Sequence, residues 1–154
     1  MYHLHTTIEI AAPPSTVRAK FLDFSQIPKY HPNGFFKSIA PLVPGQPLEP
    51  GLKMHNELDG MTIEPVLIEN SPSVFRWGGS GLLGTFKGEH IFRFEPSSQT
   101  QGGTTFTHEE KFTGLLSFIM GSNVAANSIG LRASTQKGFE KYNVDLKKWC
   151  EGSA

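Results

Sequence analysis

The sequence predicts an α+β domain in which a curved antiparallel sheet wraps around one long C-terminal helix, with two short helices near the N-terminus. Three observations predict it. The chain opens on an alternating strand followed by short helical segments, strand-like runs on short turns fill its middle, and one long amphipathic stretch closes it.

Tyr2 to Ile10 alternates, with Tyr2, Leu4, Thr6, Ile8 and Ile10 on one face, as a half-buried strand does. Pro13-Pro14-Ser15-Thr16 is a helix-entry signature, and Val17, Phe21 and Phe24 form the apolar stripe behind it. A second helical turn is expected over Ser25 to Tyr30, ended by His31-Pro32-Asn33-Gly34. Strands are then expected at Phe35–Leu42, Leu52–Leu58, Met61–Glu69, Val74–Trp77, Thr85–Glu95 and Thr104–Thr113, separated by Pro/Gly turns and a glycine-rich turn at Gly78–Gly84. Their short connections imply one antiparallel meander. Leu131, Thr135, Phe139, Tyr142, Leu146 and Trp149 recur at steps of three and four, with Lys137, Glu140, Lys141, Asp145 and Lys147 on the opposite, solvated side. Gly138 weakens this helix and permits close approach to the sheet. No repeat or linker divides the 154 residues, which read as one domain, 1–154.

Zero net charge and the absence of any Lys/Arg run argue against a nucleic-acid partner. No stretch reaches the length of a membrane span, and the N-terminus lacks a signal-peptide pattern. With Cys150 as the sole cysteine, no internal disulfide is available and a reducing, cytoplasmic setting is expected. Twelve phenylalanines supply apolar area with no polar handle, which suits a dry core or a pocket wall.

The sharpest chemical signal lies in the last two strands. One face of the first reads Phe86, Gly88, His90, Phe92, Phe94; one face of the second reads Phe106, His108, Glu110, Phe112. A hairpin closing at Ser97–Gly103 pairs Phe94 with Phe106, Phe92 with His108 and His90 with Glu110, and sets Glu89 opposite Lys111 on the outer face. The alternate residues of the second strand, including Thr107 and Glu109, are expected in solvent. A carboxylate among phenylalanines needs compensation. Either His90, His108 and Glu110 satisfy one another and fix the strand register, or they line a cavity and polarise a ligand oxygen, with a carboxylate-oriented histidine as acid or base. Two histidines and a carboxylate also suit zinc or iron, but no ligand-spacing motif accompanies them, so neither metal nor cofactor is assigned. His31 is expected as an exposed loop histidine, and His3, His5, His55, Glu57 and Arg76 as outward-facing. Nothing near Cys150 points to an activated thiol.

The element order, together with Arg76-Trp77-Gly78, Phe86-Lys87-Gly88-Glu89-His90-Ile91-Phe92, the run from Thr105 to Leu116, and Gly138-Phe139-Glu140 followed by Asn143 and Leu146-Lys147, resembles the START-like (SRPBCC) superfamily. The resemblance is greatest to its small polyketide-cyclase/dehydrase-like members. It implies a helix-grip fold with a hydrophobic tunnel between sheet and last helix. The segment from Gly121 to Gly130 departs from the pattern in being looser and more polar.

Two functions follow as expectations. The first is binding of a small hydrophobic molecule (a lipid, polyketide or aromatic metabolite), lined by Phe75, Trp77, Phe86, Phe92, Phe94, Phe106, Phe112, Leu131, Thr135 and Phe139. The alternative is a cofactor-free cyclase or dehydratase acting on a polyketide-like or other secondary-metabolite intermediate, with His90, His108 and Glu110 as acid–base groups. A protein-interaction module with a vestigial pocket is a third possibility. Monomer and homodimer both remain open.

Overall fold

A computed structural model describes residues 2–81, 86–113 and 131–152. The order is β1 (Tyr2–Ile10), α1 (Pro14–Leu22), a 3-10 turn (Phe24–Gln26), α2 (Ile27–Tyr30), β2 (Phe36–Pro41), β3 (Met54–Leu58), β4 (Met61–Ile63), β5 (Val66–Asn70), β6 (Val74–Gly81), β7 (Phe86–Pro96), β8 (Thr104–Thr113) and α3 (Leu131–Cys150). This is the expected α+β helix-grip architecture. Curved antiparallel sheets pack against the long last helix, with two short helices following the first strand. The lead-in to the last helix, Gly121 to Gly130, lies outside the described residues.

The strands form two sheets, not the one meander expected from the turns: five strands in the order β1-β8-β7-β6-β5, and three in the order β2-β3-β4. The stretch Met61–Glu69 is the cause. Pro65 has no N–H to give a ladder, so the run divides into β4, which pairs with β3, and β5, which pairs with β6. The two sheets are joined at that break. Lys53 bridges Val66, the Met54 N–H donates to the Pro65 carbonyl at 2.8 Å, and the Leu67 N–H donates to the Leu52 carbonyl at 2.8 Å. β6 also outruns its expected end, because Gly78 and Gly79 continue the ladder opposite Glu89 and Gly88.

α1 begins without a side-chain cap. Pro13 is extended, Pro14 sits in the first turn, and the Pro13 carbonyl takes the N–H groups of Thr16 and Val17. This seats Val17 and Phe21 inward, both buried. The Phe21 ring fills one end of the concave face, 5.4 Å from Phe75, 4.6 Å from Phe92 and 5.3 Å from Phe94 between centroids.

α3 lies across this face antiparallel to β8. Near its C-terminus the Lys147 ammonium donates to the Glu9 carbonyl at 2.6 Å, and the Glu151 carboxylate accepts the Ala11 N–H at 2.8 Å, beside the pairing of Ile10 with Thr104. Its earlier residue Phe139 lies on His108. Gly138 makes the close approach, although its neighbour is Phe35 just ahead of β2. A Cβ at Gly138 would stand 2.7 Å from Phe35 Cδ2 and 3.1 Å from Phe35 Cβ. Gly138→Ala is therefore expected to destabilise the protein in urea melts. Overpacking costs about 1–3 kcal/mol, against about 1 kcal/mol gained in helix propensity. A stabilised variant would show that Phe35 gives way freely.

Candidate functional site

β7 and β8 pair in the expected register: Phe94 with Phe106, Phe92 with His108, His90 with Glu110, and Glu89 with Lys111. Directly opposed residues are not the ones that bond most closely. His90 and His108 are diagonal neighbours whose rings lean together, placing Nε2 on Nε2 at 2.6 Å. His108 Nδ1 stands 3.1 Å from Oδ1 of Asn143 on α3, and His90 Nδ1 stands 3.5 Å from Glu110 Oε2. A run of polar groups thus crosses the interior from helix to strand, in the order Asn143, His108, His90, Glu110.

Aromatic rings enclose it. His108 stacks on Phe139 with centroids 3.9 Å apart and lies against Phe36 on the other side at 5.6 Å. His90 stacks on Phe92 at 5.0 Å and meets Trp77 at 5.1 Å. His108 is 0% and His90 2% exposed, whereas the Glu110 side chain is 19% exposed. Of these three, Glu110 alone reaches an open boundary.

Burial fixes the charge state. Desolvation, with the neighbouring imidazole as a lesser cause, holds His90 well below the ordinary histidine range. Desolvation drives His108 to about 3, against a weaker opposing pull from the Asn143 hydrogen bond. Desolvation alone pushes the Glu110 carboxyl up to about 8. The contact between His90 and Glu110 is therefore not an ion pair at neutral pH: both partners are driven to their neutral forms. The gap of 2.6 Å between the Nε2 atoms also leaves no room for an ion, since a zinc–nitrogen bond alone takes about 2.0 Å.

The aromatic residues expected at the site occupy the same concave face. Phe75, Trp77, Phe92, Phe94, Phe106 and Phe139 are all buried. Phe75, Phe94 and Phe106 gather around Phe21 at the closed end. Thr135 is half-buried, one helical turn before Phe139, toward the Glu110 end. Phe86 and Phe112 occupy the expected ladder positions, opposite Gly81 and Gly88 respectively, and Leu131 opens α3; their side chains lie outside the described residues.

Four expectations are corrected. His31 is 1% exposed: Nδ1 donates to Asp145 Oδ2 at 2.8 Å, and Nε2 accepts the Phe36 N–H at 3.4 Å. Gly34 allows this, since a Cβ there would fall 2.1 Å from His31 Nε2. Asp145 is accordingly buried rather than on a solvated helix face, and Lys141 donates to its second oxygen at 2.6 Å. Thr107 and Glu109 are likewise buried on the outer face of β8. Glu109 is clasped by Arg93 at 2.5 Å and by His3 at 2.6 Å, so this face is covered by its neighbours' side chains. His3 thereby gains a partner while remaining partly exposed. His55 and Glu57 face outward as expected, Arg76 lies between Glu69 and Glu89, and burial pushes the Cys150 thiol up to about 12, which leaves it inert.

The sequence reasoning missed Asn56 and the bonding role of Asn143. Asn56 alternates with the buried Met54 and Leu58, and neither of its side-chain amide atoms has a partner among the described residues. The Nδ2 atom of Asn143 is also without one. Both had a signal. Asn56 is the polar residue in an apolar alternation, and Asn143 follows Phe139 by four on the stripe that continues to Leu146 and Cys150.

The model of a family described as polyketide cyclase/dehydrase and lipid transport matches residues 1–141. No curated protein matches the chain. Among solved structures, a hypothetical protein of Helicobacter pylori is 14% identical with a TM-score of 0.68, covering 97% of this chain and 88% of its own. The Zhui aromatase/cyclase of a Streptomyces species is 14% identical with a TM-score of 0.66, covering 97% and 93%. Norcoclaurine synthase of Thalictrum flavum is 12% identical with a TM-score of 0.64, covering 96% and 85%. At these identities the likeness is one of fold. Among the described residues no helix is long and apolar enough to cross a membrane.

Proposed function

This chain belongs to the polyketide cyclase/dehydrase and lipid transport family, and we propose that it takes up a small, largely apolar molecule between its sheet and α3. The observation that carries this reading is a set of buried amide atoms, both of Asn56 and Nδ2 of Asn143, that have no hydrogen-bond partner among the described residues. A buried amide without a hydrogen bond costs about 1–3 kcal/mol, and a ligand oxygen would remove that cost. Phe21 fills the Phe94–Phe106 end, so the ligand lies toward Glu110 and Thr135, with Trp77, Phe92 and Phe139 forming its floor. Phe86, Phe112 and Leu131 would extend the wall there.

Uptake is read from Trp77. In a Trp149→Phe variant it is the only indole, and titration with para-butylphenol should shift its emission. Native mass spectrometry of protein taken directly from its source should also show a co-purifying apolar compound. Unchanged emission up to the probe's solubility limit, with an empty native spectrum, rejects uptake.

The polar run favours a second reading, acid–base catalysis on a polyketide-like or other secondary-metabolite intermediate. A carboxyl protonated at neutral pH can donate a proton at the open end and regain one from solvent there, while the neutral His90 and His108 behind it orient the acid. Glu110→Gln separates the two readings, because it abolishes turnover yet spares uptake.

A further inference from the structure

We propose that Asn143 sets the proton order of the Glu110–His90–His108 run, so that the site accepts an uncharged molecule bearing a hydroxyl donor and rejects the matching carboxylate. This deepens the uptake reading and rests on it. The order follows from counting donors. An amide oxygen can only accept, so Oδ1 of Asn143 requires a proton on His108 Nδ1. A neutral His108 then has a bare Nε2, which at 2.6 Å must accept from His90 Nε2–H. A neutral His90 in turn presents a bare Nδ1 to Glu110 Oε2 at 3.5 Å. A carboxylate there would set lone pair against lone pair, whereas a carboxylic acid directs its O–H at the nitrogen. The desolvated carboxyl of Glu110 independently favours that same neutral form.

With its proton turned toward His90, Glu110 is left with Oε1 as a carbonyl-type acceptor. A ligand hydroxyl fits such an oxygen; a ligand carboxylate offers it only further acceptors. Among the described side chains no cation on the surrounding strands or helix compensates. Lys87, Arg93, His3 and Lys111 belong to the outer face of the sheet, with Arg93 and His3 held by Glu109. Arg76 is held by Glu69 and Glu89, Lys37 and Lys137 are exposed, and Lys141 and His31 are held by Asp145. The Arg132 side chain lies outside the described residues. A carboxylate ligand would enter as an unpaired buried charge.

The test uses the full chain, para-butylphenol and para-butylbenzoate, with calorimetry at pH 7 and NMR of the carboxyl carbon of Glu110 in ligand-free protein. The phenol is expected to bind at least about tenfold tighter than the benzoate. The Glu110 carbon should be in its protonated form at pH 7. Glu110→Gln, whose amide donates to His90 and keeps a carbonyl acceptor, should retain the preference. In Asn143→Leu the carboxyl should titrate at lower pH than in the parent, and by more than in Phe139→Leu, which loosens the packing on His108 while keeping the amide acceptor; an equal displacement in the two variants overturns the proposal. Equal binding of the two probes, an ionised Glu110 at pH 7, or an unmoved titration in Asn143→Leu overturns the proposal. Binding of neither probe overturns the uptake reading instead, so the two failures are told apart.

Discussion

Phe92→Ala is expected to remove about 3–5 kcal/mol of stability, the range for deleting a fully buried phenylalanine. Against a total of about 5–15 kcal/mol this can unfold the protein at physiological temperature. The size follows from the position of Phe92 between Phe75 on β6 and His108 on β8. Its ring meets Phe21 of α1 at 4.6 Å, Trp77 of β6 at 5.3 Å, Phe36 of β2 at 5.9 Å and Tyr142 of α3 at 6.4 Å. One side chain therefore links both sheets, the first helix and the last. The same ring stacks on His90, so its loss admits water to the imidazoles and raises their pKa values toward normal. Val66→Ala, at an exposed position on β5, serves as the control and should change stability by less than about 0.5 kcal/mol. A loss below about 1 kcal/mol in Phe92→Ala, measured by chemical denaturation, would show that the ring is not the shared centre of the core.

Stability should also depend steeply on pH, with a maximum near neutrality. His31, His90 and His108 have folded pKa values below the unfolded value of about 6.5, so the unfolded chain binds more protons as pH falls through 6.5. His90 and His108 each then contribute a loss on the order of 1.4 kcal/mol per pH unit toward acid, continuing for His108 down to its folded value of about 3, and His31 adds to the loss in the same direction. Glu110 acts in the opposite direction. Its folded pKa of about 8 is raised above the unfolded value, so its contribution is present below about 4.5 and is lost as pH rises to 8. The three histidines outweigh one carboxyl between pH 4.5 and 6.5, so stability falls toward acid; above 6.5 Glu110 dominates and stability declines gently toward 8. Glu110→Gln should flatten the alkaline arm and steepen the acid arm above about 4.5, where its opposing contribution is removed, and His108→Gln should make the acid arm shallower. Urea melts across this range check both, and an acid arm unchanged in His108→Gln would place the sensitivity elsewhere.

Much of the hairpin chemistry was legible because strand alternation has a period of two. Once the Ser97–Gly103 turn fixes the register, the placement of His90 opposite Glu110 follows without further information. The long helix was legible for the same kind of reason, a repeat at steps of three and four. His31 was not legible. Its burial depends on Asp145, more than a hundred residues later, and on the bare Cα of Gly34, and neither leaves a local periodic signal. Glu109 was misread because alternation assigns a residue to a face without saying what covers that face. Arg93 and His3 arrive from the two neighbouring strands to enclose it.

By itself, then, the sequence determined the α+β class with one long C-terminal helix, the register of β7 on β8 and the inward face carrying His90, His108 and Glu110, all set by short-range periodicity and turn chemistry. The tertiary structure alone decided that the two histidines bond to each other, that Asn143 reaches them from α3, and that one strand-like run divides between two sheets at Pro65. It also decided the charge of the site. Whether a carboxyl among phenylalanines is an anion or an acid depends on desolvation and on the donors left over by its neighbours, and those are properties of packing.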